Sequence, residues 1–240
     1  MGDALETHGG AVGVDHERGK IVITGTGRAG TTLLVALLTD LGLDTSFEPG
    51  VEINPEHRAG LERSIRPDGP RIVKIPNLAA RMRTAMDAGN VTIDHVIIPV
   101  RSLEVAAASR IRLSNYGRTT DAQGGMWGTK QFWRQQHALA EQLGELVVTL
   151  AEYDLPHTLL LFPRFARDAD YTYERLSFLL DGISKERFQE VLAARVRPDW
   201  IHEEPLDASE RARARVLAPF TIGRSALVRL RVRAKAVLSS

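Results

Sequence analysis

At 240 residues, with 43% apolar and 25% charged side chains, the chain has the composition of an ordinary globular protein, and one hydrophobic core of that size is sustainable. A formal net charge of +1 gives no bulk attraction to nucleic acid or membrane, and the absence of cysteine excludes disulfides, thiolate zinc sites and a cysteine nucleophile. No apolar run approaches the roughly 20 residues needed to span a bilayer, so the expectation is a cytoplasmic protein without a transmembrane segment.

Residues 1–18 are polar, acidic and lack the apolar core of a signal peptide, and they read as a loose leader. Lys20 to Thr24 is a short β-branched run followed at once by glycines, and Thr31 to Leu41 is an apolar stretch that predicts a helix ending at Gly42. Ile72 to Ile75 predicts a second strand stopped by Pro76, with a helix over Leu78 to Ala88 closed by Gly89. A buried strand follows within Val91 to Val100, then a helix over Leu103 to Leu113. Ser114 to Lys130 is rich in Gly, Asn, Thr and Asp around Tyr116 and Trp127, which reads as a long loop over a site. Phe132 to Ala151 reads as a helix, His157 to Phe162 as a strand stopped by Pro163, and Asp170 to Leu180 and Lys185 to Ala194 as helices. Strands alternating with helices predict an α/β fold with a parallel, doubly covered sheet across residues 19–205. From Leu206 onward Arg211, Arg213, Arg215, Arg224, Arg229, Arg231, Arg233 and Lys235 stand against Asp207 and Glu210, so residues 206–240 read as a basic, helical tail.

The segment Gly25-Thr-Gly-Arg-Ala-Gly30-Thr-Thr32 lies between the first strand and the first helix, where backbone N–H groups and the helix dipole favour a phosphate-like anion. Three loop types compete for it. The ATP/GTP loop requires a Lys after its last Gly, and Thr31 stands there instead. The dinucleotide fingerprint G-x-G-x-x-G matches at Gly25, Gly27 and Gly30, with Glu48 near the offset of a ribose-binding acid, so an NAD(P)-binding oxidoreductase stays open.

Arg28-Ala-Gly-Thr-Thr-Leu-Leu34 resembles the third type, the R-S-G-T-T-L-L loop of sulfotransferases. The likeness recurs at His95-Val-Ile-Ile-Pro-Val-Arg101, where an Arg ends a strand and Ser109 follows eight residues later. It is looser at Phe162 to Asp168, where the family's Tyr-Glu-Asp pattern is missing. This resemblance implies a three-layer fold of the P-loop NTPase type with a central parallel sheet and a helical C-terminal part. It further implies 3′-phosphoadenosine 5′-phosphosulfate as co-substrate and needs no metal. Gly27, Arg28, Ala29, Gly30, Thr31 and Thr32 would hold the 5′ phosphosulfate, and Arg101 with Ser109 the 3′-phosphate. An arginine leaving a strand and a serine two turns into the next helix can converge on one phosphate, the arginine through a charge-assisted fork.

Sulfonyl transfer to a hydroxyl needs a base, cations facing the leaving phosphate, and in-line positioning. Lys74 resembles the family's strand-end Lys beside the transferring group, and Arg28 would share its role. The small-molecule branch carries its basic His two residues beyond that Lys, where Pro76 stands here. Another branch uses a Glu shortly after the first helix, which makes Glu48 the expected base, with Glu52, Glu56 and His57 as substitutes. Trp127 and Tyr116 are candidates to stack on the adenine, and Phe132 with Trp133 to line an acceptor pocket. Gly223-Arg224 would add a 3′-phosphate contact, and the basic tail offers peripheral contact with acidic lipid. The expected acceptor is a hydroxyl on a sugar, lipid or secondary metabolite, and the remaining alternative is a relative that binds such a donor without turnover.

Overall fold

A computed structural model describes residues 19–57, 59–76, 78–87, 89, 91–115, 124–129 and 131–216, and the side chains of Leu78 and Ala80 stand outside that description. In chain order the elements are β1 (Lys20–Ile23), α1 (Thr31–Asp40), β2 (Ile72–Lys74), α2 (Leu78–Asp87), β3 (Ile93–Val100) and α3 (Leu103–Leu113). Next come α4 (Gln135–Glu152), β4 (His157–Leu161), α5 (Arg164–Arg167), α6 (Ala169–Leu176) and α7 (Lys185–Arg195), with a last helix, α8, over residues 208–216.

The four strands form one parallel sheet in the order β2-β1-β3-β4. β1 to β3 are β-branched runs, as strands covered on both faces require, whereas Leu159 and Leu161 of β4 stand exposed. Alternation along the strands divides the core in two. Ile21, Ile23, Ile72, Ile97 and Leu160 face α1 and α5 to α7, meeting Leu34, Leu37, Phe165, Phe188 and Leu192. Val22, Val73, Val96 and Ile98 face the opposite layer, meeting Met82 of α2 and Leu146 and Leu150 of α4. The architecture is therefore three-layered, with helices on both sides of a parallel sheet.

Several boundaries differ from expectation for local reasons. The helix expected from Phe132 begins as a tight 3-10 turn over Phe132–Arg134 and becomes α-helical only at Gln135. The helix expected over Asp170 to Leu180 is α-helical to Leu176 and ends in a 3-10 turn, and Asp168 caps its start by accepting from the Tyr171 amide at 2.9 Å. The single turn of α5 was not expected. β4 is an edge strand, and its outward Leu161 N–H donates to Tyr171 Oη while Arg175 donates to the Leu159 carbonyl, both at 3.1 Å. Those two contacts blunt the edge against pairing with another strand.

The beginning of the basic tail packs onto the domain. Leu206 and Ala214 are buried, and Arg112 of α3 forks onto Glu210 of α8 at 2.8 and 2.9 Å while also donating to the carbonyls of Glu204 and Pro205. Among the described residues no helix is long and apolar enough to cross a membrane.

Candidate anion-binding site

β1 and β3 lie side by side, yet α1 covers one face of the sheet and α3 packs against α4 on the other. The connections leaving these strands part to opposite sides, and a crevice opens at the carboxyl ends of the strands, the usual ligand position in such sheets. A cavity of about 460 Å3 occupies it, within the roughly 300 to 1,000 Å3 range of small-molecule sites.

Its floor is the loop from Gly25 to Gly30. Gly30 caps α1 with φ of 79°, and the first intrahelical bond runs from Leu34 N to Gly30 O at 3.0 Å. The amides of residues 31–33 consequently have no acceptor inside the helix and carry its positive dipole end. Gly27, at φ of 70°, lies so close to Arg110 that a Cβ there would come within 2.4 Å of a guanidinium nitrogen. Glycine is needed both for the left-handed backbone and for that approach.

Lys74 supplies the wall from the end of β2. Its Nζ donates to Thr32 Oγ1 at 2.8 Å, to the Gly60 carbonyl at 2.5 Å and to Glu62 Oε1 at 3.0 Å, with the side chain only 5% exposed. Burial lowers the ammonium's pKa, and Glu62 opposes that shift. The strand places Lys74 there because Val73 and Ile75 are both buried beside it, locking the register with Ile23.

The opposite wall is Arg110, buried in α3. It donates to the Gly125 carbonyl at 2.5 Å and to the Thr26 carbonyl at 2.6 Å, its Nε is buried without a partner, and burial pushes its pKa down to about 10. Gln142 of α4 closes the far end, donating to the carbonyls of Pro76 at 2.7 Å and Gly25 at 3.3 Å. Glu62, Arg110 and Gln142 were not singled out from the sequence. Glu62 sits in an irregular segment between α1 and β2, and only the chain's path brings it to Lys74.

Arg28, Ser109 and Arg101 do assemble, though not around one shared phosphate position. Arg28 Nε donates to Ser109 Oγ at 3.0 Å, its NH1 donates to the His57 carbonyl at 2.7 Å, and Arg101 NH1 donates to the Arg28 carbonyl at 2.8 Å. Arg28 lines the cavity, whereas Ser109 and Arg101 stand behind it. The arginine at 101 is half-buried, packs over the Phe162 ring at 5.1 Å and leaves its NH2 buried without a partner. Desolvation brings its pKa down to about 10.

Gly27, Gly30, Thr31, Thr32 and Trp127 line the cavity together with Arg28 and Lys74, while Ala29 is fully buried in the core beneath. Glu48 does not: it is exposed, as are Glu52 and Glu56, and none of the three lines the cavity. The expected base thus stands apart from the loop, because the turn after Leu41 carries residue 48 outward, and Glu62 is the carboxylate that reaches the site. His57 reaches it only through its carbonyl. Phe132 and Trp133 line a different cavity. Tyr116, Gly223 and Arg224 lie outside the described residues.

Among the described residues, three cationic side chains, Arg28, Lys74 and Arg110, and one carboxylate, Glu62, line the cavity around the amides that open α1. The donor set suits a phosphorylated or sulfated anion. No family model, no curated protein and no solved structure matches the chain.

Proposed function

We propose that the cavity holds 3′-phosphoadenosine 5′-phosphosulfate and that the chain transfers its sulfonyl group to a hydroxyl of a sugar, lipid or secondary metabolite. The observation that carries this reading is the buried Lys74 ammonium, held at 2.8 Å from Thr32 Oγ1 at the start of α1 and at 3.0 Å from Glu62 in the same cavity. A cation at the helix end and a carboxylate beside it are the two groups that transfer to a hydroxyl requires.

The donor supplies an activated sulfur whose bond to the 5′-phosphate oxygen breaks as the acceptor oxygen bonds to it. Glu62 accepts the hydroxyl proton. Lys74, released from Glu62 as that carboxylate is protonated, turns its charge toward the departing phosphate oxygen. The amides of residues 31–33 and Arg28 hold the phosphate end, and Trp127 offers its face to the base. Arg101 and Ser109 fix Arg28 from behind, which gives the second motif a positioning role for the first.

The dinucleotide reading requires an acid on a ribose, and Glu48, the residue at that offset, is exposed outside the cavity. Calorimetric titration of the purified protein with adenosine 3′,5′-bisphosphate, NADH and ATP separates the readings. The bisphosphate is expected to bind and NADH not to; binding of NADH alone refutes the proposal.

A further inference from the structure

A second cavity, about 420 Å3, lies on a different face of α3 from Arg110, enclosed by α3, the 3-10 turn that opens α4, and α8. Its floor is apolar: Ala108, Ile111 and Leu206 are buried in one cluster, with Phe132 packed against them. Trp133 stands at its mouth, 57% exposed and held edge-on to Phe132 at 5.1 Å with an interplanar angle of 86°. An indole ring kept half in water beside an apolar cavity offers a face of the kind that flat ligands cover.

The rim is charged, and its balance is not neutral. Arg211 pairs with Glu104 at 3.5 Å, so these two largely cancel, whereas Arg215 is exposed one turn further along α8. Among the described residues the excess charge of the rim is one cation. The helix that carries both arginines is fixed to α3 by the Arg112–Glu210 fork, so the rim is held at a set distance from the floor.

From this combination we infer that the cavity is a binding site for a small aromatic monoanion, its ring laid between Trp133 and the apolar floor and its carboxylate or sulfonate turned to Arg215. A neutral ring would bury the same surface without meeting the cation, and an aliphatic anion would meet the cation without covering the indole. The cavity is distinct from the one at the β1–α1 loop, with Met126 packed on the floor of the one and lining the other.

The probe is 2-naphthoate, titrated by calorimetry into the full chain, with 2-naphthamide as its uncharged counterpart. The expected result is saturable one-to-one binding of the naphthoate, weakened about tenfold in Trp133→Ala and several-fold in Arg215→Ala. The naphthamide should bind more weakly to the unmodified protein and be indifferent to Arg215→Ala. Both positions are exposed, and unchanged thermal midpoints show that the variants fold. Saturation with adenosine 3′,5′-bisphosphate should leave the naphthoate affinity unaltered. Absence of heat up to millimolar probe, equal affinity in both variants, or displacement by the bisphosphate overturns the assignment. So does a tenfold gain in affinity on removing residues 217–240, which would make that segment the occupant instead.

Discussion

Lys74 Nζ donates to Thr32 Oγ1 at 2.8 Å, joining the end of β2 to the first turn of α1 across 42 residues of sequence. The bond sets a buried cation beside amides that already carry the positive end of a helix. Burial makes such a cation costly for the fold, and its bonds to Thr32, Gly60 and Glu62 offset part of that cost.

Replacement of Lys74 by Met therefore separates stability from activity. Desolvation dominates the lowered pKa, so the folded state holds the proton less tightly than the unfolded chain does. That group costs stability below its folded pKa, and the cost is relieved as pH rises toward the unfolded value of 10.5. The K74M protein should melt no lower than the parent at pH 7, while the proposed sulfonyl transfer falls about a hundredfold or more. Thermal melts and a radiolabelled-donor assay check the two halves.

Glu62→Gln keeps the shape of the site and removes the proposed proton acceptor. Transfer should fall by about 10²- to 10⁴-fold, the range of general base catalysis, with affinity for adenosine 3′,5′-bisphosphate changed by less than about threefold. Glu48→Gln should leave both unchanged. A reversal of these two outcomes would restore Glu48 as the base.

Arg101→Ala removes the donor that fixes the Arg28 carbonyl. Loss of this charged hydrogen bond corresponds to about 1.5 to 3 kcal/mol within the fold, and bisphosphate affinity should weaken in calorimetry by no more than that. Ser109→Ala, which leaves Arg28 Nε without its acceptor, should weaken it in the same direction and by less.

Gly30→Ala addresses the fold beneath the site. At φ of 79° a Cβ is strained, and it would meet Phe165 Cζ at 2.6 Å and Phe162 Cδ2 at 2.8 Å. Left-handed strain of about 1–2 kcal/mol and an overpacking cost of about 1–3 kcal/mol together predict a fall in the melting midpoint of roughly 5–15 °C by scanning calorimetry.

Asp40 at the end of α1 pairs with Arg195 of α7, with Arg195 NH2 at 2.6 Å from Oδ1. Burial works against its ionised form, but the hydrogen bonds from Arg195 and the Gly50 amide outweigh it and hold the carboxyl below its ordinary 3.8. The stabilisation is full above pH 3.8 and is lost as pH falls through the lower folded value. Denaturant titrations should find Asp40→Asn less stable by about 1–3 kcal/mol at pH 7, with the gap closing in acid.

The sequence by itself determined the succession of elements and the loop. β1 to β3 are β-branched runs that fit a sheet buried on both faces, β4 is a leucine run at its edge, and α3 and α7 follow from their own spacing within one residue. The glycines of the loop were legible as a motif, and Gly27 and Gly30 combine left-handed backbone with close packing against Arg110 and Phe165. The tertiary structure alone decided which charges meet. Glu62 belongs to no periodic element, and Glu48, nearer the loop in sequence, is carried outward by the turn after α1. Arg110 looks like any helical arginine until α3 packs against the loop and buries it. Arg101 and Ser109 carry the pattern of a phosphate pair, yet in the folded chain their side chains reach Arg28. Local preference is written along the chain because it depends on neighbours a few residues away, while a site joins residues 28, 62, 74 and 110, whose meeting depends on how helices cover the sheet.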